Sequence, residues 1–308
     1  MGGGTYDRKD WDNFTTRSTA GKKTEEVFSS RGINADLNPA LIRLRESRDS
    51  ADNPISNAIA VALDVTGSMG RVVDNMARVQ LKTLFEEIHA RKPIEGPQLM
   101  FMGVGDALYD QAPLQVSQFE SDMRIGEQLI KLWLEKGGGG NACESYQLPW
   151  LFAALKTSLD CFEKRGQKGY LFTVGDEKPP TELTAAEIRK VFGDAMEARD
   201  YTTADILAMV ERCYHVFHVI VDEGDYARGN PGGVDAAWRD LLGQRVLHLK
   251  DHTKLAEVIV SAIQITQGDL TPAAVAASWS GDTSLVVASA VRDLTAAPKG
   301  GSGALTTY

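Results

Sequence analysis

The chain has 308 residues, 43% of them apolar, and a formal net charge of −9. That length suits one large core and leaves little room for a second large domain. The acidic balance, with an isoelectric point near 5.2, argues against a nucleic-acid footprint, and no run approaches the roughly 20 apolar residues of a membrane helix.

Cys143, Cys161 and Cys213 are odd in number and lack metal-type spacing, which suits a reducing cytosol better than a disulfide scaffold. The first residues carry no apolar signal core, and Tyr6 breaks a myristoylation pattern. A soluble, cytoplasmic protein is expected. Residues 1–53 read as a polar N-terminal arm without its own core. Its aromatics Tyr6, Trp11, Phe14 and Phe28 would lay it on the main domain, and Asn38-Pro39 would open a short helix.

The main domain is expected over 54–268. Ile59-Ala60-Val61-Ala62-Leu63 is a continuous apolar run ended by Asp64, and Thr66 and Ser68 follow with Gly67 between them. Such a run reads as a strand buried on both faces. A helix after Gly70 would put Val72, Met76, Val79 and Leu84 on one face. The turn therefore lies at the carboxyl end of a strand, where open α/β sheets bind ligands. It offers one carboxylate and two hydroxyls, the oxygen donors that Mg²⁺ takes. The same residue types also form Asx-type turns that cap helices; a second acid at another strand end would decide for a cation.

Gln98 to Val104 is a second strand, ending in Gly105-Asp106, and Leu114 to Phe119 alternates as a half-exposed edge strand would. A helix is expected over Met123 to Glu135. Four glycines, Gly137 to Gly140, then lead through Asn141 and Glu144 into a helix from Ser145 to Phe162. No Lys-Ser/Thr follows them, so this is not a phosphate loop. Tyr170-Leu171-Phe172-Thr173-Val174 is again an apolar strand, and it ends in Gly175-Asp176. That is the second acid.

Capping boxes mark helix starts at Thr184–Glu187 and, with Asp in the fourth place, Thr202–Asp205. A strand over Val216–Val221 ends in Asp222-Glu223. A helix lies around Trp238–Leu241, a last strand is Val246–Leu249, and Leu255 to Ile265 reads as an amphipathic helix. Residues 269–308 read as a helical extension and tail, with Pro272 opening one helix and another over Ser284 to Leu294. The expected fold class is α/β: a Rossmann-like, doubly wound, mostly parallel six-stranded sheet with one antiparallel edge strand and helices on both faces.

Asp64-x-Thr66-x-Ser68 after a buried strand, the glycine-rich loop before a later helix, and the strand ending Gly175-Asp176 together resemble the von Willebrand factor A-type domain of bacterial cytosolic type. The resemblance covers about residues 55 to 268 and implies a metal-ion-dependent adhesion site for Mg²⁺ or Mn²⁺. Asp64, Thr66, Ser68 and Asp176 match that family's ligands, and Asp106 ends the second strand beside them. The family's middle-loop Thr is missing; the loop resembles the Gly-Gly-Gly-x-x-x-Glu variant of some members, which makes Glu144 the candidate ligand, with Asn141 as the alternate and Ser145 as a third. In that family the hydroxyls bind the cation directly and the acids often act through water, leaving it to attract a Glu or Asp of a partner protein. What the resemblance implies is an intracellular protein-binding module, an adaptor to an AAA-type ATPase or part of a stress or conflict system, rather than an enzyme. It involves no nucleic acid and no membrane, and the oligomeric state is not specified.

A second class is a Mg²⁺-dependent phosphohydrolase. Asp64-Val65-Thr66-Gly67-Ser68 also looks like the nucleophile loop of haloacid-dehalogenase-type enzymes, with Asp64 as nucleophile. Against it, Ser68 replaces their Thr and a helix begins directly after Gly70. The five histidines share no metal-ligand spacing and read as core or surface residues. The strand-end acids Asp106, Asp110, Glu144, Asp176, Glu177, Asp222, Glu223 and Asp225 would crowd one rim.

Overall fold

The computed structural model describes residues 4, 6–135, 143–268 and 270–297. After helix α1 (Arg8–Phe14), strand β1 (Asn57–Asp64) leads into α2 (Gly70–Asn75), a π-helical turn Met76–Gln80, and α3 (Leu81–Arg91). Then come β2 (Pro97–Val104), β3 (Leu114–Val116), α4 (Arg124–Leu129), α5 (Gln147–Lys156) and β4 (Gly169–Gly175). The second half holds α6 (Ala185–Phe192), α7 (Thr203–Val210), β5 (Tyr214–Val221), α8 (Pro231–Leu242), β6 (Val246–Leu249), α9 (Leu255–Gln267), α10 (Pro272–Ala277) and α11 (Gly281–Ala290). No helix among the described residues is long and apolar enough to cross a membrane.

The six strands pair in the order β6-β5-β4-β1-β2-β3, parallel except for the edge pair β2–β3. This is the expected α/β architecture. Alternation along β1 explains the two layers, since successive side chains point to opposite faces. Ile59, Val61 and Leu63 join one core with α2, α3, α9, α10, α11 and the aromatics of α1. Ala58, Ala60 and Ala62 face the other, where Tyr146, Trp150, Phe152 and Trp238 need the room that alanine leaves. Leu63 pairs with Gly103 and with Val174, so Asp64, Gly105 and Gly175 leave the sheet side by side at its carboxyl edge.

Several local expectations shift. Val79 is half exposed, while Val72, Val73, Met76, Ala77, Gln80, Leu81, Leu84, Phe85 and Ile88 are buried. Those positions recur every four residues, longer than the 3.6 of an α-helix. The π-turn supplies the extra rotation. It also aims Gln80 at α9, where its amide donates to Thr253 O at 2.5 Å and accepts from Ala256 N at 2.9 Å.

The edge strand β3 is buried on both faces, and α4 stops at Leu129 instead of running to Glu135. One cause serves both. The Gln115 amide bonds Trp133 N and O at 2.9 Å each, and the Glu135 carboxylate accepts from Gln111 N and Ala112 N. Residues 131–135 therefore run along the edge and cover it. Helix α5 ends at Lys156 because Thr157–Leu159 pairs with Arg45–Ser47. The segment after Asn38 joins that small sheet, and the only helical turn beside it is Ala35–Leu37. The two capping boxes form as expected. Helix α9 is buried almost all round rather than amphipathic, since α10 and α11 cover its outer side and Trp279 Nε1 donates to Ser261 Oγ at 2.8 Å. The last helix spans Gly281–Ala290 rather than Ser284 to Leu294.

One ion-pair group carries a pH-dependent part of the stability. His248 on β6 meets Asp222 Oδ1 through Nδ1 and Asp235 Oδ1 through Nε2, each at 2.8 Å, and Arg239 Nε donates to the same Asp235 oxygen. Two carboxylates at two ring nitrogens favour the imidazolium, and the hydrogen bond to Asp222, then that to Asp235, raises the His248 pKa. A raised folded pKa means stability fully present below the unfolded value near 6.5 and lost as pH rises through the folded value. His248→Gln is expected to cost about 1–2 kcal/mol at pH 6 and clearly less at pH 9, read from urea melts at both pH values.

Candidate metal centre

The turn after β1 is built on Asp64. Its Oδ1 accepts Thr66 N at 2.8 Å and Thr66 Oγ1 at 2.7 Å, which closes an Asx-type turn. Its Oδ2 accepts Tyr146 Oη at 3.1 Å. Thr66 Oγ1 also lies 3.2 Å from Glu144 Oε1. A hydroxyl has one proton, so Thr66 donates to only one of the two acids at a time. The Glu144 carboxyl is pushed up by burial and then by Asp64. Burial raises Asp64 in the same way, with Asp176 and Glu177 adding to it. Glu144 Oε2 is buried and has no hydrogen-bond partner among the described residues.

From β4, Asp176 Oδ2 accepts Tyr226 N at 2.9 Å, and burial raises its pKa. Glu177 beside it is pushed up to about 7 by burial and then by Asp176. Two glycines make this packing possible. A Cβ on Gly175 would collide with Tyr146 Oη, and one on Gly224 would collide with the Asp176 side chain. Ser68 Oγ, half-buried, faces Asp225 N at 3.5 Å.

The surface expression of this arrangement is a depression of about 400 Å³, lined by Thr66, Gly67, Ser68, Met69, Asp176, Glu177, Asp225 and Tyr226. Asp64 and Glu144, 1% and 2% exposed, lie beneath it. Thr66, Ser68, Asp176 and Glu177 thus line the depression over a floor of two buried acids, and the Thr66 hydroxyl reaches down to both of them. Asp64, the nucleophile of the phosphohydrolase reading, has both oxygens hydrogen-bonded and does not line the depression.

The structure brings Asp64, Thr66 and Glu144 into direct contact and places Ser68 and Asp176 around the same opening. Asp106 is 2% exposed with Oδ2 unpaired, but it belongs to the neighbouring loop and does not line the depression. Ser145 Oγ accepts Ala107 N at 2.9 Å, so it staples that loop. Asn141 lies outside the described residues, as do the four glycines before it. Sequence reading missed Tyr146, Gly224 and Tyr226. A Tyr at a helix start reads as core, and a Gly between acids reads as an ordinary loop.

An all-oxygen donor set with an unpaired buried carboxylate oxygen fits a hard cation such as Mg²⁺ or Mn²⁺. Among the described residues, the three-residue His/Cys/Asp/Glu group with ligand atoms within 4.8 Å of one another is instead Glu223, Asp251 and His252. Its hydrogen bonds have a local purpose: Asp251 Oδ1 caps Thr253 N, and Glu223 Oε2 accepts His252 N and faces His252 Nδ1.

No family model matches the chain, and no curated protein does. Among solved structures, the pilus adhesin SpaC from Lactobacillus rhamnosus GG in its open conformation is similar at 9% identity and a TM-score of 0.44, over 72% of this chain and 32% of that one. A von Willebrand factor type A protein from Catenulispora acidiphila is similar at 14% identity and 0.39, over 68% and 42%. The ArnB paralog VWA2 from Sulfolobus acidocaldarius gives 10% and 0.26, over 68% and 44%. This chain spans less than half the length of each of these chains.

Proposed function

We propose that the chain is a protein-interaction module that holds Mg²⁺ or Mn²⁺ at the β1 turn and docks an acidic residue of a partner protein on that ion. The observation that carries this reading is the convergence of oxygen donors at one depression: Thr66, Ser68, Asp176 and Glu177 line it, and Asp64 and Glu144 lie beneath, both in contact with Thr66 Oγ1. Hydroxyls ligate without neutralising, so a dication held by them keeps its pull on an anionic oxygen from outside. Asp176 would complete the near side, and Asp64 and Glu144 would act from below through their hydrogen bonds to Thr66. Asp106 and Asn141 are held as outer candidates. On the resemblance drawn above, the setting proposed is cytoplasmic, as an adaptor to an AAA-type ATPase or in a stress or conflict system.

The test is a thermal melt with Mg²⁺, with Mn²⁺ and with chelator. At a hundredfold excess over Kd a bound ion adds about 2.7 kcal/mol, or about 5 °C for a chain of this size. Thr66→Val with Ser68→Ala is expected to remove that increment, and to lower the chelator melt by about 1–3 kcal/mol because buried Asp64 loses the Thr66 hydroxyl. An increment that survives the double substitution sinks the proposal.

A further inference from the structure

The loop between β2 and β3 is fixed to an unusual degree for a surface turn. Asp110 N donates to Asp106 O at 2.9 Å, Asp106 N to Asp110 Oδ2 at 2.7 Å, and Leu108 N to Asp106 Oδ1 at 2.7 Å. From α6, Lys190 Nζ donates to three carbonyls of the turn, Ala107 at 2.7 Å, Leu108 at 3.2 Å and Asp110 at 3.0 Å. From the other side Ser145 Oγ takes Ala107 N. Out of this fixed frame stand Leu108 and Tyr109, 59% and 61% exposed.

Single exposed apolar side chains are ordinary. Here two large ones are adjacent, on a turn whose hydrogen bonds keep them from folding back, at the sheet edge that carries the candidate metal centre. The link to that centre is short. Val65 N donates to Val104 O, Ser145 N to Gly105 O, and Glu144, next to Ser145, touches Thr66. Leu108 and Tyr109 are four and five residues past Val104, so at most about 18 Å of chain separates them from it. An extended segment covers that distance in about six residues.

We infer that Leu108 and Tyr109 form the apolar half of the docking surface, and that the occupant is an extended segment of a partner protein. This segment carries one Glu or Asp for the cation and a large apolar side chain within about six residues of it. This rests on the metal-docking reading and narrows its partner. Charge supports a peptide: the acids Asp176, Glu177 and Asp225 line the opening, and the chain carries −9 overall. That field repels nucleic acid and anionic bilayers and favours a segment whose other charges are basic.

The probe is a set of short synthetic peptides with one central Glu in a Ser/Lys background and a single Leu moved through the flanking positions. Each is bound to the full chain in Mg²⁺ and in chelator. The expected result is Mg²⁺-dependent binding that rises about tenfold when Leu occupies positions on one side of Glu. Leu108→Ser/Tyr109→Ser should abolish that preference and keep the Mg²⁺ thermal increment. A Leu preference that persists unchanged in this double variant overturns the inference. If no peptide binds either in Mg²⁺ or in chelator, the inference fails. If a Leu preference survives chelator and Glu→Gln but vanishes in the double variant, the apolar anchor stands and the metal reading falls.

Discussion

Asp64→Asn is expected to raise the melting temperature of the metal-free protein and to abolish the increment that Mg²⁺ gives. Asp64 is 1% exposed, and the acids Asp176 and Glu177 add to its cost of ionising. A buried carboxylate in such company is either protonated or repelled. Asn keeps the Oδ1 acceptor for Thr66 N and Thr66 Oγ1, while its second atom meets the Tyr146 hydroxyl, which can turn to accept. Removal of the charge should gain about 1–2 kcal/mol without metal, or about 2–4 °C. Most substitutions of a buried, hydrogen-bonded polar group destabilise instead. Melts of both proteins with chelator and with Mg²⁺ decide it. A loss of stability in chelator with an intact Mg²⁺ increment would make Asp64 a turn-former and nothing more.

The elements that were legible in the sequence are those where one local signal has one meaning. Ile59 to Leu63 reads as a buried strand because nothing polar interrupts it, and Asp64 ends it where the sheet ends. Thr184 and Thr202 cap helices because the acid three residues later closes the box. What was not legible depends on partners distant in sequence. Val79 points outward because of a π-turn, which no period-3.6 reading contains. Gln115 looks like the polar side of an edge strand until Trp133 arrives to bond it. At the site, Asp64, Thr66 and Asp176 could be named from strand ends. Tyr146 could not: its hydroxyl reaches Asp64 across 82 positions, and only Gly175, which leaves it room, hints at the approach.

Trp11→Ala carries the second large effect, a loss of about 3 kcal/mol and about 6 °C in the melt. Trp11 is 1% exposed, with its ring 5.1 Å from Phe85 and edge-on to Phe14 at 6.2 Å. The low end of the range for a large aromatic applies because Trp11 Nε1 is buried without a partner, so truncation also relieves an unpaired donor. The arm does not hang on Trp11 alone. Arg78 donates to Thr19 O at 2.7 Å and Lys22 O at 3.0 Å, and Lys82 pairs with Asp12. It should therefore melt with the core in one transition. A separate early transition that absorbs the whole effect of Trp11→Ala would show the arm to be an independent layer. Phe85 lies 17 residues beyond Ser68, roughly 25 Å along the helix. The Trp11 and Asp64 effects should then add in the double variant, and the Mg²⁺ increment of Trp11→Ala should equal that of the unaltered chain. A reduced increment would mean that the arm sets the pitch of the helix that starts at the metal turn.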